Sequence, residues 1–214
     1  MQTLLPRNLG ILPIILFACG ILVIWQPLLA TTAPTRQSKP RIEVCFVLDT
    51  TGSMGGLIEG AKQKIWSIAN EMISAKPTPQ LKLGLIGYRD RGDEYVVKSF
   101  NLTDDIDSIY GHLSEFKADG GGDTPEAVNT ALHDAVNRIS WSQGGDAYRV
   151  VFLVGDAPPH DYQDEPSTAE IVKAATARGI VVNTILAGGD PDARAKWQQI
   201  ASLNQGKFFE VEQS

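Results

Sequence analysis

The sequence predicts an α/β fold in which a mostly parallel central sheet is covered by helices on both faces. Two patterns carry that expectation. Short apolar runs rich in Val, Ile and Leu recur along the chain almost unbroken, as strands buried on both faces require. Between them lie stretches whose apolar residues return every three or four positions, the period of a helix resting on a sheet. With 214 residues, 43% hydrophobic and 21% charged, the chain has enough apolar material for one such domain and an appended segment.

The appended segment comes first. Leu9 to Ala30 reads LGILPIILFACGILVIWQPLLA without a charge, and as a helix it can just cross a hydrocarbon core of about 30 Å. Arg7 precedes it, and Pro27 and the small residues of 30–33 follow, as at the end of a signal peptide. Residues 1–33 are therefore expected to be a signal peptide or an N-terminal transmembrane anchor, 34–40 a linker, and 41–214 the folded domain. Arg36, Lys39 and Arg41 outnumber Arg7, which for an uncleaved anchor argues for a cytoplasmic domain. The position at the extreme N-terminus and the polar linker TTAPTRQSKP weigh for export. The expected location is periplasmic or extracellular, or membrane-anchored with the domain outside the cytoplasm.

Ile42 to Leu48 (IEVCFVL) reads as the first strand and ends at Asp49. Leu57, Ala61, Ile65, Ile68 and Met72 then mark one face of a helix, which Pro77 and Pro79 stop. Leu81 to Tyr88 reads as the second strand and Tyr95 to Phe100 as the third, joined by the turn-prone RDRGDE. Helices follow over Asp104 to Phe116 and Pro125 to Ile139, the second with proline in its first turn. Arg149 to Val154 is a fourth strand, ending at Gly155-Asp156. A helix over Ser167 to Arg178, a strand over Ile180 to Leu186, a helix over Asp192 to Leu203 and a short strand over Lys207 to Val211 complete the chain.

Charge and cysteine usage narrow the function. All 25 acidic residues and 18 of the 19 basic ones follow the apolar segment, so the domain is acidic and has no Lys/Arg block. A nucleic-acid partner is not expected. Cys19 and Cys45 lie in the apolar segment and in a core strand and are not placed to pair, so no disulfide framework exists. Cys45 reads as a small apolar core residue.

Chemistry is expected beyond the carboxyl ends of the strands, where open α/β sheets take their ligands. Asp49, Thr51 and Ser53 alternate in DTTGSM at the end of the first strand, which puts their oxygens on one side of the turn. A carboxylate with two hydroxyls suits a hard cation such as Mg²⁺, Mn²⁺ or Ca²⁺; taken alone, the string is also a helix N-cap. Asp156 ends the fourth strand, and the Gly-rich loop ADGGGDTPEAV brings Asp123 and Thr124. Three such loops meeting at one edge would be a costly charge cluster without a cation.

Together these motifs resemble the metal-ion-dependent adhesion site, or MIDAS, of the von Willebrand factor A (vWA) family. The resemblance covers about residues 41 to 211 and is nearest to the hemicentin-like and bacterial sub-group. It implies a Rossmann-like vWA fold with one antiparallel edge strand, a divalent cation, Mg²⁺ first among candidates, and a protein ligand whose acidic side chain completes the metal shell. Gly122 stands where integrin-type members carry a coordinating threonine, so Asp123 or Thr124 is expected to substitute. Asp123 would make three carboxylates around the ion, which weakens capture of a ligand carboxylate and favours tighter, more structural binding.

Asp90 and Asp93 form a possible second rim, with a solvated turn as the plainer reading. His160 and Asp161 either line the ligand face or pack their loop. His112, His133, Trp66, Trp141 and Trp197 read as packing residues. Arg91-Gly92-Asp93 spells an integrin-binding string of the kind that arises by chance. No general base is paired with a nucleophile, so a binding module and not an enzyme is expected. The alternative is a metal-dependent hydrolase or phosphatase using Asp49 or Ser53. Against it, Ser53 lacks the first glycine of the G-x-S-x-G elbow, and Thr51 stands where a haloacid-dehalogenase-type phosphatase needs a second aspartate.

Overall fold

The computed structural model describes residues 39–122 and 124–211. Six strands, β1 (Arg41–Asp49), β2 (Gln80–Tyr88), β3 (Val97–Thr103), β4 (Ala147–Gly155), β5 (Ile180–Ala187) and β6 (Phe208–Val211), form one sheet in the order β3-β2-β1-β4-β5-β6. All neighbours pair in parallel except β2 and β3, so the expected antiparallel strand lies at the edge. Helices α1 (Ile58–Ser74), α2 (Ile106–Glu115), α3 (Val128–Asn137), α4 (Thr168–Ala177) and α5 (Pro191–Ser202) cover it.

Two apolar layers hold the helices to the sheet. Val44, Phe46 and Leu48 of β1 face one way and pack with Ile65 of α1 and Leu113 of α2. Cys45 and Val47 face the other way and pack with Leu132 of α3, Val172 of α4 and Trp197 of α5. β1 is therefore buried on both faces, which is why its sequence shows no polar alternation. Cys45 is a fully buried core residue, and burial pushes its thiol pKa well up, as befits an inert side chain.

Helix starts follow local capping chemistry. Asp105 and Asp190 each accept from a backbone N–H in the first turn, and Ser167 with Glu170 forms a reciprocal capping box. Two expectations shift. The third strand runs over Val97–Thr103 and not Tyr95–Phe100, because Tyr95 turns its hydroxyl onto Thr50 Oγ1, 2.7 Å away. Pro125 stands before α3 and not in its first turn: its preceding peptide bond is cis, and helical hydrogen bonding starts only from Val128. Among the described residues no helix is long and apolar enough to cross a membrane; the apolar segment 9–30 lies outside them.

Candidate metal centre

β1 and β4 are parallel neighbours, and the chain leaves them in opposite directions, from β1 through α1 to β2 and from β4 through α4 to β5. Their carboxyl ends flank the point where the connections diverge, the expected ligand position in such sheets. β1 ends on Asp49, and Asp156 follows β4. After Asp49 the chain folds into a 3₁₀ turn over Gly52–Gly56. Gly52 is needed there because its N–H donates to Gly120 O at 2.9 Å, and a side chain would begin 2.7 Å from that oxygen. The turn and the Gly-rich loop are thus in backbone contact.

Asp49 Oδ1 accepts from Thr51 N at 2.8 Å and from Thr51 Oγ1 at 2.6 Å. Thr51 Oγ1 lies 3.0 Å from Ser53 Oγ, which donates to Asp156 Oδ1 at 3.0 Å. Four side chains therefore make one line of oxygens between the two strand ends. The hydroxyl protons alone do not suffice for it. Three O···O contacts share two hydroxyl protons, and with both carboxylates charged those protons point outward to Asp49 and Asp156. The central Thr51–Ser53 contact then sets lone pair against lone pair. Asp49 Oδ2 is buried and makes no hydrogen bond of normal geometry, with the Tyr88 hydroxyl, itself unsatisfied, beside it. Oxygens short of positive charge are what a hard divalent ion relieves, and this donor set fits Mg²⁺, Ca²⁺ or Mn²⁺. Among the described residues no three His, Cys, Asp or Glu side chains alone are arranged to hold an ion; the donors that meet are mixed, carboxylate with hydroxyl.

Burial pushes the Asp49 carboxyl up to about 7 against the pull of its Thr51 bonds, and Asp156 raises it further. Asp156 is raised by burial, with Ser53 opposing. Glu126 is a member of this cluster that sequence reading missed. It is almost wholly buried, its Oε2 has no partner, and its Oε1 lies 3.3 Å from the point where a side chain on Gly121 would begin, next to Thr51. Burial first, then the charges of Asp49, Asp90, Asp156 and Asp93, push its carboxyl up to about 8. The signal was present in GGGDTPEAV, but an acid just before an apolar helix start reads as an ordinary first-turn residue.

The rim residues are engaged with the site and with each other. Asp93 accepts from Gly121 N through both oxygens at 2.9 Å and from Asp90 N at 3.0 Å. Asp90 is buried, accepts from Tyr162 Oη at 2.6 Å and lies 3.9 Å from His160 Nε2. His160 stacks on Tyr162, and Arg91 lies over the other ring at 3.7 Å while pairing with Asp164 and Glu165. The RGD string is therefore spent on internal contacts, and Asp90 and Asp93 are not solvated turn residues. Arg89, also unremarked in the sequence, is buried and donates from Nε to Thr50 O at 3.2 Å, bracing the turn from below. Asp161 is exposed.

Residues 43–213 match the von Willebrand factor A domain family. The chain belongs to that family. Among its relatives is von Willebrand factor A domain-containing protein 7 of Rattus norvegicus, 38% identical over 57% of this chain and 12% of that protein. The chain spans a quarter or less of the length of the curated relatives it matches. Two solved vWA-like structures share the fold. Protein BatB from Bacteroides thetaiotaomicron superposes with a TM-score of 0.63 at 20% identity, covering 81% of this chain and 91% of that one. Proximal thread matrix protein 1 from the mussel byssus, described with a zinc-occupied MIDAS motif, gives 0.63 at 17% identity, covering 80% and 42%.

Within this vWA domain the Gly-rich loop meets the DTTGSM turn through Gly120. Gly122 is exposed, with open space where a side chain would begin. Thr124 is exposed and makes no side-chain hydrogen bond among the described residues. Asp123 lies outside the described residues. Among the described residues, Glu126 is a carboxylate that this segment brings near Asp49 and Asp156.

Proposed function

We propose that this vWA domain is a protein-binding module of the MIDAS type, near the hemicentin-like and bacterial sub-group, that works with a bound Mg²⁺. Asp49 and Asp156 would hold the ion with Thr51 and Ser53, and the ion would offer an open position to an acidic side chain of a partner protein. The observation that carries this reading is the line of four oxygens with two protons for three contacts, ending on a buried Asp49 Oδ2 without a partner. The zinc reported in the mussel protein supports a divalent cation in this family's site; hard oxygen donors favour Mg²⁺ here. Glu126 adds a buried carboxylate beside Thr51, which strengthens the hold on a cation and lowers its appetite for a ligand carboxylate. Asp90, Asp93 and His160 would shape the rim around the partner. Residues 1–33 would export or anchor the domain outside the cytoplasm.

A binding role is favoured over hydrolysis because the Ser53 hydroxyl donates to Asp156, with no histidine bonded to it among the described residues. His160 faces Asp90 instead. The test is thermal unfolding of the purified chain in EDTA and in rising Mg²⁺. The midpoint is expected to climb with free Mg²⁺ in the wild type and to stay fixed in Asp156→Ala. Equal midpoints in EDTA and saturating Mg²⁺ for the wild type would end this reading.

A further inference from the structure

The opposite edge of the sheet carries a different kind of site. A cavity of about 560 Å³ opens beside the end of α3, the segment that joins it to β4, and the end of α4. Pockets for small molecules run from about 300 to 1,000 Å³. Two guanidinium groups line it, from Arg149 and Arg178. Arg149 is buried and rigidly held: Nε donates to Ser142 O at 3.1 Å, and Nη2 donates to Ser142 Oγ at 3.3 Å and to Gly144 O. Its third nitrogen, Nη1, makes no hydrogen bond among the described residues, yet it is not one of the polar atoms sealed away from solvent without a partner. It lies 3.7 Å from the point where a side chain on Gly179, the residue after Arg178, would begin. Arg178 donates Nη1 to Val136 O at 2.7 Å and leaves its other donors free among the described residues.

The hydroxyls of Ser140 and Ser142 also line the cavity. Each already accepts a hydrogen bond, from Asn101 Nδ2 and from Arg149 Nη2, so each has its own proton to donate. Around this edge Arg41, Arg149 and Arg178 stand against Glu43 and Asp146, an excess of one positive charge in an acidic protein. A preorganised guanidinium with a free N–H beside a second one is the recognition element for a carboxylate or phosphate oxygen.

We infer that this cavity binds a small molecule through an oxyanion group, phosphate or carboxylate, clasped between Arg149 and Arg178. The site stands apart from the metal edge and does not need it. The test is calorimetric titration of the purified full chain in EDTA with inorganic phosphate and, in a separate arm, with succinate. Saturable one-to-one binding of at least one anion is expected, weakening as salt is raised. Affinity should fall roughly tenfold or more in Arg178→Gln, with Arg178→Lys in between because it keeps the charge and loses the fork. Arg178 is exposed, so both variants should keep the wild-type melting profile. Binding of phosphate alone assigns a phosphorylated ligand, and binding of succinate alone assigns a carboxylate. Absence of saturable binding in both arms, or wild-type affinity in Arg178→Gln, overturns the inference.

Discussion

Glu43 and Asp49 lie on the same side of β1, near its two ends, and both are buried. Their surroundings differ. Glu43 Oε2 accepts from Ser142 N at 3.0 Å and lies 3.8 Å from Arg149 Nε, with Arg41 Nη2 3.9 Å from its other oxygen. Asp49 has Thr51 on one oxygen, only the neutral Tyr88 hydroxyl near the carboxylate besides, and Asp156 and Glu126 as charged neighbours. At its amino end the strand meets a buried charge with cations from its own chain. At its carboxyl end no cationic side chain pairs with Asp49 among the described residues, and the proposed function supplies a cation from solution. A buried carboxylate is thus informative about ligands only when its counter-charge is missing.

Four expected outcomes would break or sharpen this contrast. Arg149→Ala should have the largest effect, because it leaves Glu43 charged and unpaired: a loss of about 3–5 kcal/mol of stability relative to the wild type, read by urea unfolding and equal in EDTA and in Mg²⁺. A loss that shrinks in Mg²⁺ would mean that the two edges are not separate. Asp49→Asn is expected to do the reverse. It should leave the metal-free protein at least as stable as the wild type while abolishing the gain from Mg²⁺, about 2.7 kcal/mol at a hundredfold excess over Kd, measured by thermal melts in EDTA and in Mg²⁺.

The third outcome concerns pH. In metal-free protein Asp49 and Glu126 bind their protons more tightly when folded, up to about 7 and about 8, than in the unfolded chain, at about 4. The folded state therefore holds more protons between those values, and its stability should fall as pH rises through that window, by on the order of a few kcal/mol. Saturating Mg²⁺ binds the charged carboxylates and should flatten the slope, since neither state then takes up those protons between pH 5 and pH 8. Urea midpoints near pH 5 and pH 8, with and without Mg²⁺, check both the fall and its loss. The smallest effect is expected for Arg41→Gln, whose partly exposed side chain is the more distant cation on Glu43: less than about 1 kcal/mol. A loss as large as that of Arg149→Ala would show that Glu43 depends on both.

Much of the fold was legible because burial on both faces writes itself into β1, β4 and β5 as unbroken apolar runs, and the helices carry clear stops and caps. β3 was misplaced since it is a half-exposed edge strand, VKSFNLT, with little pattern to anchor its ends. The start of α3 was misplaced because proline before a helix and proline within its first turn look alike in sequence. Of the candidate site, the DTTGSM turn and Asp156 could be placed by counting from strand ends. Glu126 and Arg89 could not, because each owes its role to partners far along the chain: Glu126 to Thr51 and Asp90, Arg89 to Thr50. Asp90 and Asp93 read as turn formers for the same reason.

The segment that follows Asp156 is fastened at several points. Glu126 N donates to Pro158 O at 3.1 Å, His160 N donates back to Glu126 O at 2.8 Å, Asn129 Nδ2 donates to His160 O at 3.0 Å, and Trp197 Nε1 donates to Ala157 O at 3.1 Å. Asp156 therefore cannot drift outward without dragging α3 on one flank and α5 on the other. Oxygen shells around Ca²⁺ are about 0.3–0.5 Å wider than those around Mg²⁺. Under the proposed function, discrimination by ionic radius at this vWA edge would rest on the stiffness of the two helices behind it as well as on the four oxygens.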